Sequence, residues 1–246
     1  MKKAKIWLTP DWPAPANIHA ATTLRLGGVS RGAFNSLNIA MHVGDDVDCV
    51  KHNRQIMQQV LALPSEPIWL TQIHSNQVVK AVKTSEPPQA DASYSDQSGV
   101  VCAVMTADCL PLLVCTIDGR QIAAIHAGWR GLLAGVIDNT IAALQVPPST
   151  LLVWLGPAIG VACFEVGAEV RAAFIAKSST FMSAFTEKAN GQWLADIYQL
   201  ARINLTALGI HAIYGGDFCT VTEDARFYSY RRDNRTGRMA TLIWRT

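Results

Sequence analysis

The feature that most constrains this chain is a pair of apolar runs around a single Asp-Gly dipeptide, "CLPLLVCTIDGRQIAAIHAGWRG", residues 109–131. Asp118-Gly119 is favoured in two-residue type I′ turns, where both central residues take positive φ, so the flanking runs predict an antiparallel ribbon. With that turn, Cys115 faces Ile122, Pro111 faces His126 and Cys109 faces Gly128. Cys109 and His126 then project from one side as diagonal neighbours, roughly 5–8 Å apart at their Cβ atoms. A slip of one residue would send them to opposite faces, so the turn decides whether they can meet.

Around the ribbon, strand-like runs are expected at 19–26, 67–73, 77–82, 100–105, 150–156, 212–215, 226–231 and 239–244. Helical periodicity covers about 48–63, 131–144, 167–177 and 196–208, the last with Asp196 as N-cap and Gly209 just beyond its end. Hairpin-like strand pairs mixed with separated helices point to an α+β fold instead of regular βαβ alternation. Half the residues are hydrophobic and 16% are charged, enough to bury a sizeable core. With no repeat and no long linker, residues 1–246 are expected to form one domain. The soft stretch 84–99, "TSEPPQADASYSDQSG", reads as a long surface loop that can help wall a site.

A net charge of +2 without blocks of like charge gives no footing for nucleic acid or a membrane surface, and a small ligand is the expected partner. The N-terminal apolar run stops at Thr9 and Pro10, too short for a signal peptide, and nothing resembles a transmembrane span. The six cysteines lack a tight framework in a chain too large to need disulfides, which favours a reduced, cytoplasmic setting.

Cys109 and His126 on one face invite a third metal ligand from His19, His42, His52, His74 or His211. His74 is favoured because, like His126, it ends an apolar run beside polar residues. Two imidazoles and one thiolate suit Zn²⁺ at roughly 2.0–2.3 Å with a fourth position open, the pattern of a catalytic site. The "AGWRG" that follows His126 offers glycines for close approach, a helix start and the guanidinium fork of Arg130, together a seat for phosphate.

The motifs "TQIHSNQVV", "ADAS", "VMTADCLPLL", "IHAGWRG", "SLNIAMHVGDD", Asn53-Arg54, "LGPAIG", "FEVG" and "FYSYRRDNRTGR" occur in order along nearly the whole sequence. In these the chain resembles the laccase-domain family, also called multicopper polyphenol oxidase or peptidoglycan editing factor. The resemblance implies a layered α/β/β/α sandwich with mixed sheets. It implies a cytoplasmic purine nucleoside phosphorylase that splits adenosine, inosine and methylthioadenosine with phosphate and also deaminates adenosine. It places zinc ligands on His74, Cys109 and His126. Ser75 departs from the glycine that the family often carries after its first ligand. Cys109, His126 and Arg130 are the expected catalytic residues. Asn38, His42, Arg54 and Asp91, with Phe227, Tyr228 and Arg231, are expected to line the substrate pocket.

Rival chemistries use the same residues. A Cu²⁺ polyphenol oxidase would take the two histidines and the cysteine, with Met105 as weak axial ligand, although clustered histidines for multicopper chemistry are missing. A metal-free hydrolase would use Cys109 as nucleophile and His126 as base. A non-enzymatic binding protein would keep zinc for structure alone. Deamination of purine C6 by activated water lacks the glutamate signature of zinc deaminases.

Overall fold

The computed structural model describes residues 5–188 and 191–246. In chain order the first half contains β1 (Trp7–Leu8), β2 (Ile18–Thr23), α1 (Val47–Leu61), β3 (Val78–Lys80), β4 (Ala92–Ser95), β5 (Val101–Thr106), β6 (Leu110–Thr116), β7 (Ile122–Ala127), α2 (Trp129–Ala134) and α3 (Val136–Leu144). The second half contains β8 (Leu151–Leu155), β9 (Glu165–Val166), α4 (Ala168–Lys177), β10 (Phe185–Glu187), β11 (Trp193–Ala195), α5 (Ile197–Ala207), β12 (Ile213–Gly215), α6 (Tyr230–Asp233) and β13 (Met239–Arg245).

The strands form a four-stranded sheet ordered β1-β2-β13-β5, a six-stranded sheet ordered β12-β8-β6-β7-β4-β3, and a small sheet β10-β11-β9. The six-stranded sheet is mixed, with parallel pairs at β12-β8 and β3-β4 and antiparallel pairs between. Period-two alternation explains how it is covered on both sides. Leu112 and Val114 of β6, with Ala123 and Ile125 of β7, face α3, α4 and α5. Leu113 and Cys115, with Ile122 and Ala124, face Cys102, Val104 and Ile243 of the four-stranded sheet. The far side of that sheet packs Val101, Ala103 and Leu242 against Met57 of α1. The result is the expected layered α/β/β/α sandwich. Among the described residues no helix is long and apolar enough to cross a membrane.

The ribbon pairs in the expected register, with Cys115 opposite Ile122 and Pro111 opposite His126. Its turn differs. Only Gly119 takes positive φ, at 67°, and Thr116 N donates to Gln121 O at 3.1 Å, so the loop has four residues instead of two. Thr116 Oγ1 accepts Arg120 N and Gln121 N at 3.0 and 3.1 Å, replacing ladder bonds at the tip. Two-residue and four-residue loops share parity, which is why the register survives.

Four other expectations are corrected. Residues 67–73 form no strand: Ile68 and Thr71 make single bridges, and the Gln72 side chain stands in for a neighbouring strand. Gln72 Nε2 donates to Met105 O at 2.8 Å, while Met105 N donates to Gln72 Oε1 at 2.7 Å. The 84–99 stretch contains the mostly buried strand β4, hydrogen-bonded between β7 and β3. The helix expected over 131–144 starts earlier and is cut in two, because Gly135 at φ 91° ends α2 in the left-handed region. Residues 226–231 are not a strand: Arg226 N and Phe227 N both turn back to Glu223 O, and α6 follows.

Candidate active site and metal centre

Continuing the β6 and β7 alternation outward carries Cys109 and His126 onto the face that looks between the two sheets. They sit where that interlayer opens to solvent. His126 is the penultimate residue of β7, with only 3% of its surface exposed. Cys109 lies just before β6 and is half-buried, while His74 is exposed on the loop before β3. The ligand atoms of His74, Cys109 and His126 lie within 4.8 Å of one another. The Cys109 sulfur is 3.8 Å from His74 Nε2, and the two imidazoles meet edge to face at 4.9 Å.

One carboxylate organises the group. Asp91 is fully buried, and its Oδ1 bonds His126 Nδ1 at 2.8 Å, turning the other ring nitrogen toward Cys109. The same carboxylate accepts His74 N at 3.0 Å, Ser75 N at 2.6 Å and Ser75 Oγ at 2.7 Å. These bonds hold His74 at φ 58°, a backbone strain that a bare loop would relieve. The Ser75 hydroxyl, absent from a glycine, is thus one more clamp on the loop. Burial raises the cost of the Asp91 charge, but His126 and Ser75 outweigh it and bring the carboxyl down to about 2.

Opposed effects act on the ligands too. Burial resists ionisation of Cys109, yet His126 and then His74 bring the thiol down to about 6. Burial likewise disfavours charge on His126, yet Cys109 and Asp91 raise it to about 9. Cys109 and His126 each favour the charged form of the other, and the thiolate so favoured is the form a cation would bind. The fit to a metal is good. Tetrahedral zinc separates its donors by roughly 3.3–3.8 Å, close to what the side chains present. Space is kept for this by Gly128, where a Cβ would stand 3.0 Å from Cys109 Sγ and 3.0 Å from His74 Cδ2. Among the described residues this is the one group of its kind. Met105 lines the neighbouring cavity.

The group opens on a cavity of about 500 Å³. Three guanidinium groups line it, each braced on an aromatic ring that also lines it: Arg130 at 4.2 Å from Trp129, Arg231 at 5.7 Å from Phe164, and Arg238 at 5.9 Å from Tyr230. Stacking helps fix the plane of a guanidinium; Arg231 Nη1 is further held by Cys163 O and Glu165 O and Arg238 Nη1 by Thr236 O and Gly237 O, which leaves their other N–H groups for an anion. His42 lines the cavity as well, and burial, then Arg238 and Arg54, lower its pKa. The single acidic lining residue, Asp108 at φ 87°, has both oxygens engaged at 2.6 Å by Thr220 Oγ1 and Arg231 N.

Arg130, expected to be catalytic, lines the cavity, as do His42 and Arg231 of the expected pocket residues; the other pocket residues do not line it. Arg54 donates to Ile39 O at 3.0 Å and lies 4.0 Å over Trp69, away from the cavity. Phe227 and Tyr228 are fully buried, and the Tyr228 hydroxyl donates to Phe34 O at 2.6 Å. Asn38 is a buried bracket whose Oδ1 accepts Ala40 N and Arg238 N, each at 3.0 Å. Asp91 stands behind the ligands. Arg238, Asp108, Trp129 and Tyr230 escaped the sequence reading. Asp108 adjoins a proposed ligand, Trp129 lies inside "IHAGWRG", and Tyr230 and Arg238 lie inside "FYSYRRDNRTGR", so adjacency was the available signal.

Comparison with known proteins agrees with this picture. Residues 19–246 match a family model described as multi-copper polyphenol oxidoreductase laccase. A protein of Pseudomonas aeruginosa named purine nucleoside phosphorylase is 54% identical over 239 residues, covering 97% of this chain and 98% of that one. The Escherichia coli purine nucleoside phosphorylase YfiH is 50% identical, covering 96% and 98%. Among solved structures, a Neisseria meningitidis protein superposes with a TM-score of 0.95 at 52% identity, covering 98% and 99%. YlmD from Geobacillus stearothermophilus gives 0.93 at 32% identity, covering 100% and 98%.

Proposed function

The chain belongs to the multi-copper polyphenol oxidoreductase laccase family, and on that premise we propose that it is a zinc-dependent purine nucleoside phosphorylase. The observation that carries this reading is the His74, Cys109 and His126 group opening on a cavity edged by three ring-braced arginines. A hard dianion and a flat heteroaromatic base are the two chemistries such a wall accepts together. The names of the relatives from Pseudomonas aeruginosa and Escherichia coli support the same reading.

In the proposed reaction Arg130, Arg231 and Arg238 hold phosphate, and the aromatic faces of Trp129, Phe164 and Tyr230 orient the nucleoside. A phosphate oxygen bonds to the anomeric carbon as the bond from that carbon to the purine nitrogen breaks, and the bonding pair leaves with the base. The sugar gains positive character in between, which the adjacent anion stabilises without reorganisation. His74, Cys109 and His126 would hold the zinc, which when bound would supply Lewis acidity toward a substrate oxygen or nitrogen. Asp91 keeps His126 in the tautomer that presents its free nitrogen to the group. Adenosine, inosine and methylthioadenosine are the proposed substrates. Deamination of adenosine is a second proposed activity, and a cytoplasmic location is consistent with six unpaired cysteines.

The test is incubation with each nucleoside, with and without phosphate, followed by product identification. Free base together with ribose 1-phosphate or its methylthio analogue, formed only with phosphate and lost on chelation, is the expected result. Base release that ignores both phosphate and chelator would reject it and point to a thiol hydrolase. Metal analysis of protein purified without added copper should find zinc.

A further inference from the structure

Two of the unpaired cysteines meet outside the metal group. Cys219 lies on the segment after β12, and Cys163 closes the single 3-10 turn Val161–Cys163. Backbone bonds hold the two segments together: Thr220 N donates to Ala158 O at 3.0 Å, and Cys163 N folds back to Gly160 O at 3.0 Å. Gly160 permits the approach, since a Cβ there would stand 3.0 Å from Cys219 Cβ and 3.1 Å from its Sγ. In that space Gly160 N–H donates to Cys219 Sγ at 3.3 Å. The Cys163 side chain lies close enough to Cys219 for the two thiols to act on one another. Both residues are partly exposed, so a small oxidant can reach them.

The two sulfurs have different surroundings. Burial opposes ionisation of Cys219, but the Thr222 hydroxyl and the N–H groups of Thr222, Gly160 and Val221 converge on it and lower its pKa. Such a nest of amides favours thiolate. Cys163 is shifted the other way, by burial first and then by the neighbouring Cys219 sulfur. One sulfur is set up to attack and the other to resolve.

We propose that Cys219 and Cys163 form a peroxide-oxidisable pair that closes a reversible disulfide beside the cavity. The Cys219 thiolate attacks hydrogen peroxide: a sulfur–oxygen bond forms, the oxygen–oxygen bond breaks, and hydroxide departs to become water. Cys163 sulfur then attacks the sulfenic acid on Cys219; the disulfide forms, the sulfur–oxygen bond breaks, and the hydroxyl leaves as water with the Cys163 proton. Two thiols lose two electrons and two protons, and one peroxide becomes two waters. The bond would fix the wall that carries Arg231, whose Nη1 already donates to Cys163 O and Glu165 O at 3.2 Å.

Metal-loaded protein treated with a small excess of hydrogen peroxide, then alkylated and digested, should yield a Cys163–Cys219 linked peptide two hydrogens lighter than its parts. Dithiothreitol should restore both thiols. In Cys163→Ser the same treatment should leave Cys219 as a sulfenic acid captured by dimedone, and in Cys219→Ser Cys163 should stay reduced. Full alkylation of both residues in the peroxide-treated wild type overturns the proposal, as does unchanged oxidation of Cys163 in Cys219→Ser. Should either variant fail to fold, the wild-type peptide map decides alone.

Discussion

The two ends of the β6–β7 ribbon carry the same residue type with opposite chemistry. At the turn end Cys115 pairs with Ile122, is fully buried between the sheets, and burial pushes its thiol up to about 12. At the open end Cys109 lies on the same face of the alternation, and burial resists its ionisation as well; His126 and His74 reverse the sign and bring it to about 6. Strand and register place both sulfurs equally well. What separates them is the company at the edge of the layer, where two imidazoles and a buried carboxylate replace apolar side chains.

The strongest way to break that contrast is to delete the reactive end. Cys109→Ala removes one of three metal donors, and we expect metal content to fall to background with at least about a hundredfold loss of phosphorolysis, since even supporting residues around such sites cost about 10–100-fold. Element analysis beside initial rates reads this out. Retention of stoichiometric metal and of turnover would mean that the open end is no metal centre. Next in size is Asp91→Asn, which keeps the shape but removes the charge that aligns His126 and gathers the His74 loop. Metal affinity should drop about 10–100-fold, measured by competition with a chelating dye, with the fold intact by circular dichroism. An unchanged affinity would reduce Asp91 to a packing role. A smaller effect, about tenfold on the KM for phosphate and less on kcat, is expected for Arg238→Met, which removes one charged donor but keeps the stem packed. A change confined to the nucleoside KM would move the phosphate seat elsewhere.

The same contrast shows what was legible in the sequence. The ribbon register could be read because an Asp-Gly turn and parity fix it, and parity outlasted an error in loop length. The two apolar faces followed from uninterrupted runs that only a doubly covered sheet accommodates. Unreadable were the places where side chains do backbone work. Gln72 imitates a strand for Met105, and the single buried Asp91 joins a loop to a strand 35 residues away, so neither leaves a period in the sequence. Aromatic Phe227 and Tyr228 read as a strand lining the pocket because β propensity records burial against a surface, and they are buried as a plug instead. Arg238 closes the motif "FYSYRRDNRTGR", but its place in the cavity could not be read because its backbone is steered from 200 residues upstream by Asn38.

The smallest effect is expected at the turn end, and it is the control on which the contrast stands. Cys115→Ala removes one buried sulfur from the layer between the sheets, where Leu113, Ile122, Ala124 and Ile243 surround it. Losing its contacts and leaving a small void should lower stability by about 1–2 kcal/mol, visible as a lower urea midpoint at unchanged slope. Metal content and kinetic constants should match the wild type, because the ladder between Cys115 and the open end is held by backbone bonds that alanine retains. A variant that lost metal along with stability would show the two ends to be mechanically coupled through β6, and the placement of Cys109 would then depend on core packing instead of on its own neighbours.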